Sequence, residues 1–192
     1  SIGLAEIFQA AQLGIPITVI FINNAIYGMT GGQMAPTTLM EQKTATSPFG
    51  RNIMMGEPMK MAELMAQLDG PVYVERCALF DSKQRLHTKK AIKKAIQLQV
   101  ENRGFAFVEI LAECPTHWKL TPLESEDWVK NQMLPIFPLG IKKDIVKEPW
   151  FHMNPPSFVP EKIQEVISVS SAPVEKFMHG FPKHIAENDI AL

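Results

Sequence analysis

Leu4, Ile7, Phe8 and Ala11 recur at helical spacing near the start of the chain, which predicts an amphipathic helix. Gly14 follows as a stop, with Pro16 behind it. Residues 17–22, Ile-Thr-Val-Ile-Phe-Ile, are a short and nearly unbroken apolar run of β-branched and aromatic side chains. That composition suits a central strand covered on both faces by helices, and Asn23-Asn24 ends it abruptly. Met61, Leu64, Met65 and Leu68 give residues 59–68 one apolar helical face, closed by Gly70, and residues 71–77 read as a second strand. A long helix is predicted over 82–102, with Leu86, Ile92, Ala95, Ile96 and Val100 inward and Lys89, Lys90, Lys93 and Lys94 in solvent. Gly104 stops it, and residues 105–111 are a third strand. Thr121, Pro122 and Glu124 stand at N-cap, N1 and N3 of a further helix and form a capping box.

Helix, strand, helix, strand, helix, strand is the order of an α/β layer structure with a parallel sheet. Residues 27–58 interrupt it with a long stretch of Gly, Pro, Thr, Ser and Met that has no period. A loop of that length inside a compact domain is usually there to bind something. The pattern fades after Gly140, so residues 1–148 are read as the domain and 149–192 as a linker or docking extension.

Length and charge narrow the function classes. At 192 residues the chain holds one domain, or one domain with an appendage. Nineteen basic against twenty acidic residues offer no field to attract nucleic acid or an anionic membrane. No apolar run approaches the roughly 18–20 residues needed to cross a bilayer, and Ser1 opens no signal-peptide pattern. A cytoplasmic protein is the expectation. Cys77 and Cys114 are the only cysteines, too few for a disulfide framework or a self-contained metal site. Cys77 ends a strand-like run and reads as buried.

The chemistry concentrates in Asn23-Asn24-Ala25-Ile26-Tyr27-Gly28-Met29-Thr30-Gly31-Gly32-Gln33. This stretch lies just past the carboxyl end of a buried strand, where open α/β sheets place ligands. Asn24 can offer a neutral oxygen and the following turn a carbonyl, both suited to hard Mg²⁺. Gly28, Gly31 and Gly32 allow close approach of a bulky anion to the backbone. Asn-Asn followed by glycines is also ordinary loop composition, and a Cys-Pro after a strand is more often a small buried residue than a ligand.

The same stretch resembles the second half of the thiamine-diphosphate motif, in which a Gly-Asp-Gly element precedes Asn-Asn. It is similar more specifically to the β subunits of 2-oxoacid:ferredoxin oxidoreductases, through Tyr27-Gly28-Met29-Thr30-Gly31-Gly32-Gln33 and Pro36-Thr37. The likeness continues through Thr46-Ser47-Pro48-Phe49-Gly50-Arg51, Gly104-Phe105-Ala106-Phe107-Val108-Glu109, Cys114-Pro115-Thr116 and Phe137-Pro138-Leu139-Gly140. The resemblance implies a thiamine-diphosphate-binding α/β domain. Asn24 would hold Mg²⁺ through its side chain and Ile26 through its carbonyl, while Tyr27, Gly28, Met29 and Thr30 would line the diphosphate. Cys114 would be the last thiolate of a [4Fe–4S] cluster, whose other ligands lie outside this chain.

The implied reaction is oxidative decarboxylation of a 2-oxoacid to its acyl-CoA, with ferredoxin taking the electrons. The implied partners are the α and γ/δ subunits or domains of the same enzyme, ferredoxin, coenzyme A and the oxoacid. The Tyr-Gly-Met-Thr-Gly-Gly-Gln variant leans towards enzymes acting on 2-oxoglutarate or branched-chain oxoacids. Some relatives carry a lysine where this chain has Gly31, which leaves substrate recognition open. The Gly-Asp-Gly element is not in the chain, and Asp189-Ile190-Ala191-Leu192 resembles the opening of a γ domain. A β–γ fusion cut at both ends is therefore expected, with an ordinary terminal extension as the alternative. The rival functions are a non-oxidative thiamine-dependent decarboxylase or synthase, and a non-catalytic docking fragment.

Overall fold

The computed structural model describes residues 3–147; the proposed extension over 149–192 lies outside them. The chain runs α1 (Leu4–Leu13), β1 (Thr18–Asn23), a long loop, α2 (Met61–Gln67), β2 (Pro71–Ala78), α3 (Ser82–Val100), β3 (Phe105–Leu111), α4 (Pro115–Trp118), α5 (Pro122–Trp128) and β4 (Gly140–Asp144). The four strands form one sheet in the order β1-β3-β2-β4. β1 and β2 both pair with β3 in parallel, as expected. β4 was not foreseen and pairs antiparallel with β2. Its Gly-Ile-Lys-Lys-Asp carries too little apolar signal to mark a strand, because an edge strand buries only part of itself.

Alternation of side chains, broken in β2 by an irregularity between Pro71 and Tyr73, divides the sheet. Val19 and Phe21 of β1, Val74 of β2, and Phe105 and Phe107 of β3 face α1 and α2. Val72, Cys77, Ala106, Val108 and Ile110 face α3. Phe21 and Phe107 stack with ring centroids 5.9 Å apart. Gly14 ends α1 in the left-handed region at φ 68, where its N–H caps Ala10 and Ala11 carbonyls. Asp81 caps α3, and the Thr121–Glu124 capping box forms as predicted.

Two expectations about burial are corrected. β1 is at the edge of the described sheet, not its centre, with Ile20 43% and Ile22 53% exposed. On α3, Ala95 and Ile92 pack inward as expected, but the rest of the inward face differs. Thr88, Ala91 and Ala95 are its buried residues, while Leu86, Ile96 and Val100 are exposed. Small side chains at these positions let the helix backbone lie close on β2 and β3, and Thr88 donates to the Ala78 carbonyl at 2.8 Å. Three of the four lysines stay in solvent, but Lys94 pairs with Asp144 and lies 4.7 Å from the Tyr73 ring centre.

The long loop is ordered by a buried cation. Arg51 is 5% exposed and sits inside its own loop. Its guanidinium donates to the carbonyls of Pro36 (2.9 Å), Thr38 (2.8 Å), Gly56 (2.8 Å) and Glu57 (2.9 Å), with longer bonds to Ala35 and Met55. Burial works against this charge and lowers the pKa of Arg51, with Glu57 opposing. Lysine is a point donor and cannot bridge carbonyls on both sides of the loop. Arg51→Lys should therefore leave far-UV circular dichroism intact but speed proteolytic cleavage within 35–57 severalfold. Cleavage at the wild-type rate would show that the loop closes without the clamp.

Candidate functional site

The parallel register sets the site. Asn23 pairs with Leu111, and Ala78 also pairs with Leu111, so β1, β2 and β3 end on one side of the sheet. The segments following β1 and β3 therefore leave side by side. The first carries Asn24 to Thr30, and the second places Cys114 at the N-cap of α4.

The turn after β1 is tightly specified. Ala25, fully buried, takes a left-handed φ of 55, which is unusual for a residue with a side chain. Its N–H donates to Asn23 Oδ1 at 3.0 Å, and its carbonyl accepts from Thr38 Oγ1 at 2.7 Å. Thr38 Oγ1 in turn accepts from the Ala35 N–H at 2.8 Å. Asn24 is half-buried and accepts only a long 3.4 Å bond from the Ile26 N–H. Among the described residues the Ile26 carbonyl accepts no hydrogen bond. Two hard oxygens on adjacent parts of one turn are thus left with capacity for a cation.

The glycine loop closes on itself. Gly31 N–H donates to Gly28 O at 3.2 Å, Gly32 N–H to Tyr27 O at 2.8 Å, and Tyr27 N–H to Gln33 O at 3.0 Å. Thr30 Oγ1 donates to Gln33 Oε1 at 2.7 Å, and Gln33 Nε2 returns a bond to the Thr30 carbonyl at 2.8 Å. Met29 projects fully into solvent. A methyl group on Gly28 would stand 2.9 Å from Cys114 Sγ, and one on Gly32 would stand 2.5 Å from His117 Nδ1. A side chain at either position would force Cys114 or His117 to move, and Gly32 also has a φ of 77.

The site thus combines Asn24, Ile26 and the loop of Tyr27 to Thr30 with Cys114, which sequence reasoning had singled out separately. Beside the loop lies a cavity of about 640 Å³ lined by Gly31, Gly32, Lys43, His117 and Trp118 among others. A smaller pocket of about 70 Å³ touches Asn24, Ile26 and Tyr27. Cys77 lies instead on the sheet face that packs against α3. It has no exposure, and burial, with the charge of Glu75 beside it, pushes its thiol up to about 12.

Residues 1–110 match the family described as thiamine pyrophosphate enzyme, C-terminal TPP binding domain. The chain belongs to the thiamine pyrophosphate enzymes. Its relatives sharpen that placement. It is 45% identical over 145 residues to ketoisovalerate oxidoreductase subunit VorA of Methanothermobacter thermautotrophicus, covering 75% of this chain and 30% of that protein. It is 40% identical over 124 residues to 2-oxoglutarate synthase subunit KorB of Archaeoglobus fulgidus, covering 65% of this chain and 42% of that one. The 2-oxoglutarate:ferredoxin oxidoreductase of Magnetococcus marinus shares the fold with a TM-score of 0.59 at 22% identity, over 95% of this chain and 64% of that chain. The resemblance to 2-oxoacid:ferredoxin oxidoreductase subunits therefore holds, and the chain spans less than half the length of these two curated relatives.

As a thiamine pyrophosphate enzyme domain, the chain fits its cofactor on the structure's own terms. Gly28 and Gly32 carry no side chain where Cys114 and His117 lie against the loop, and the uncommitted oxygens of Asn24 and Ile26 suit a hard cation. Sequence reasoning placed Asn23 in the informative stretch without a role and gave none to Thr38 or His117, which shape this site without belonging to the motif's metal or diphosphate positions. Period two along β1 could have flagged Asn23, since it falls on the same face as Val19 and Phe21. Nothing in the sequence places His117 against Gly32. No described helix is long and apolar enough to cross a membrane.

Proposed function

We propose that this chain is the cofactor-binding part of a 2-oxoacid:ferredoxin oxidoreductase. The enzyme converts a 2-oxoacid and coenzyme A to acyl-CoA and CO₂, and passes the released electron pair to ferredoxin. The observation that carries this reading is the closeness of Cys114 Sγ to Gly28, where an added methyl group would stand 2.9 Å from the sulfur, and it supports a cluster thiolate beside the diphosphate loop. A simple decarboxylase needs no cluster ligand there.

In this reading Asn24 Oδ1 and the Ile26 carbonyl hold Mg²⁺, and the backbone of Tyr27 to Thr30 lines the diphosphate. Bound there, thiamine diphosphate supplies the nucleophilic carbon and the electron sink, chemistry that is largely the cofactor's own. The chain's task is positioning. The Ala25 turn presents the metal's oxygens, the glycines admit the anion, and Cys114 holds one corner of a [4Fe–4S] cluster completed by thiolates from elsewhere. The other subunits or domains, of α and γ/δ type, cover the cofactor and bring coenzyme A and ferredoxin, in the cytoplasm. The relatives named for ketoisovalerate and 2-oxoglutarate support a branched-chain oxoacid or 2-oxoglutarate as substrate.

The test is 2-oxoacid- and coenzyme-A-dependent reduction of ferredoxin by the assembled enzyme, with both oxoacids as substrates. Release of CO₂ with no ferredoxin reduction would favour the non-oxidative alternative. A companion expectation concerns the chain alone. The Gly-Asp-Gly aspartate, the metal's charged ligand in the motif, is not among its residues. Calorimetric titration of these 192 residues should show weak or undetectable Mg²⁺-dependent cofactor binding, and tight binding would mean the metal site lies elsewhere.

A further inference from the structure

We propose that Glu109 is a positioning residue for the metal-binding turn and acts on it through Asn23. The inference rests on the reading that Asn24 and Ile26 hold Mg²⁺, and it concerns what aims them. Glu109 lies on β3 with no exposure, on the same sheet face as Phe105 and Phe107. A carboxylate in such a place needs partners on both oxygens. Its Oε2 accepts from Arg76 Nε at 2.9 Å and from the Ala62 N–H in the first turn of α2 at 3.0 Å. Its Oε1 accepts from Asn23 Nδ2 at 2.7 Å. Arg76, also fully buried, is tied in turn to Glu63 at 2.7 and 2.5 Å and to the Pro138 carbonyl at 3.2 Å. Burial opposes the Arg76 charge, but Glu63 and Glu109 outweigh it and raise its pKa. The guanidinium therefore stays charged and the carboxylate has little freedom to move.

That fixed carboxylate decides how Asn23 is oriented. A carboxylate can only accept, so the amide nitrogen of Asn23 must face Glu109 and its oxygen must face the other way. There Oδ1 receives the Ala25 N–H at 3.0 Å. Ala25 is the residue held at φ 55, and it lies between Asn24 and Ile26. An alanine keeps a left-handed conformation only where its surroundings over-determine it. Thr38 fixes its carbonyl side and Asn23 its amide side. The core ion pair is therefore connected, through one amide side chain, to the direction of both metal oxygens. Partners of this outer kind typically change metal affinity by about 10–100-fold when removed.

Glu109→Gln is a poor test, because its amide nitrogen would confront either Asn23 or the Arg76 and Ala62 donors, and the core could fail. Asn23 variants leave the Arg76–Glu109 pair intact. The assembled enzyme is depleted of metal, supplied with thiamine diphosphate and titrated with Mn²⁺, and free Mn²⁺ is counted by electron paramagnetic resonance. Asn23→Ala should raise the Mn²⁺ Kd by about 10–100-fold while the metal-free assembly keeps the wild-type far-UV circular dichroism, with an unfolding midpoint lowered because Glu109 Oε1 loses its partner. Asn23→Ser separates the two bonds. Its hydroxyl can accept from the Ala25 N–H as a weaker turn mimic but is too short to reach Glu109, so it should keep most of the loss. Wild-type affinity in Asn23→Ala overturns the proposal. Wild-type affinity in Asn23→Ser also overturns it, because the turn alone would then suffice without Glu109. Asn24→Ala is the control for the underlying reading. Loss in Asn24→Ala without loss in Asn23→Ala defeats only the positioning role, whereas no loss in Asn24→Ala defeats the metal assignment itself.

Discussion

Asn24→Ala in the complete enzyme is expected to lower the affinity for Mg²⁺ and thiamine diphosphate by on the order of 100-fold or more, since even outer partners of a metal cost 10–100-fold. The side chain is half-buried and makes only one long bond, 3.4 Å, to its own turn. Its removal deprives the fold of almost nothing, because Ala25 is held by Asn23 and Thr38 instead. The loss should appear in cofactor titration and in the cofactor concentration needed for half-maximal turnover, with the melting temperature of the metal-free protein little changed. Asn24→Asp should be milder towards the metal, since it keeps an oxygen, but its charge opposes the diphosphate. If Asn24→Ala leaves the cofactor dependence of turnover unaltered, the metal assignment is wrong.

How much of this was legible beforehand depends on how local each feature is. The strands at 71–78 and 105–111 announce themselves because they are buried along their whole length, and β1 at 18–23 does so through an equally apolar run although it stands at the edge of the described sheet. The capping box at Thr121 is legible because its partners are three residues apart. The apolar stripe on α3 misled. A helix packed closely on a sheet selects small residues, and Thr88 and Ala91 carry less hydrophobic signal than Leu86 or Val100, which face solvent. β4 was invisible because its residues are mostly polar and its partner, β2, lies far back in the chain.

The site divides in the same way. Asn24 to Thr30 could be read from one contiguous stretch and its resemblance to a family. The Glu109–Asn23 link could not, since it depends on the register that sets β1 beside β3. Glu109 and Arg76 look like interruptions of apolar strands until each is seen to neutralise the other inside the core. The packing of His117 on Gly32 and of Cys114 on Gly28 joins segments far apart in the sequence, and only the folded sheet brings them together.

That last contact gives the test that separates an oxidoreductase from every simpler thiamine enzyme. Cys114→Ala in the assembled enzyme should abolish or destabilise one [4Fe–4S] cluster while thiamine diphosphate still binds. A cluster left with three thiolates has one iron open to solvent and oxidation, whereas the cofactor loop rests on its own bonds among Tyr27, Gly28, Thr30 and Gln33. Alanine is smaller than cysteine, so it relieves rather than crowds the contact with Gly28, and the loop has no steric reason to move. Decarboxylation of the oxoacid should persist, and ferredoxin reduction should fall by orders of magnitude because the electron pair loses its first acceptor. Cys114→Ser should be intermediate, since its oxygen can retain the iron at an altered potential. Iron content, electron paramagnetic resonance of the reduced sample and ferredoxin reduction are to be followed together with cofactor affinity. Normal values of the first three in Cys114→Ala would make Cys114 a packing residue against Gly28, whereas loss of cofactor affinity together with the cluster would mean that the two sites are one structural unit.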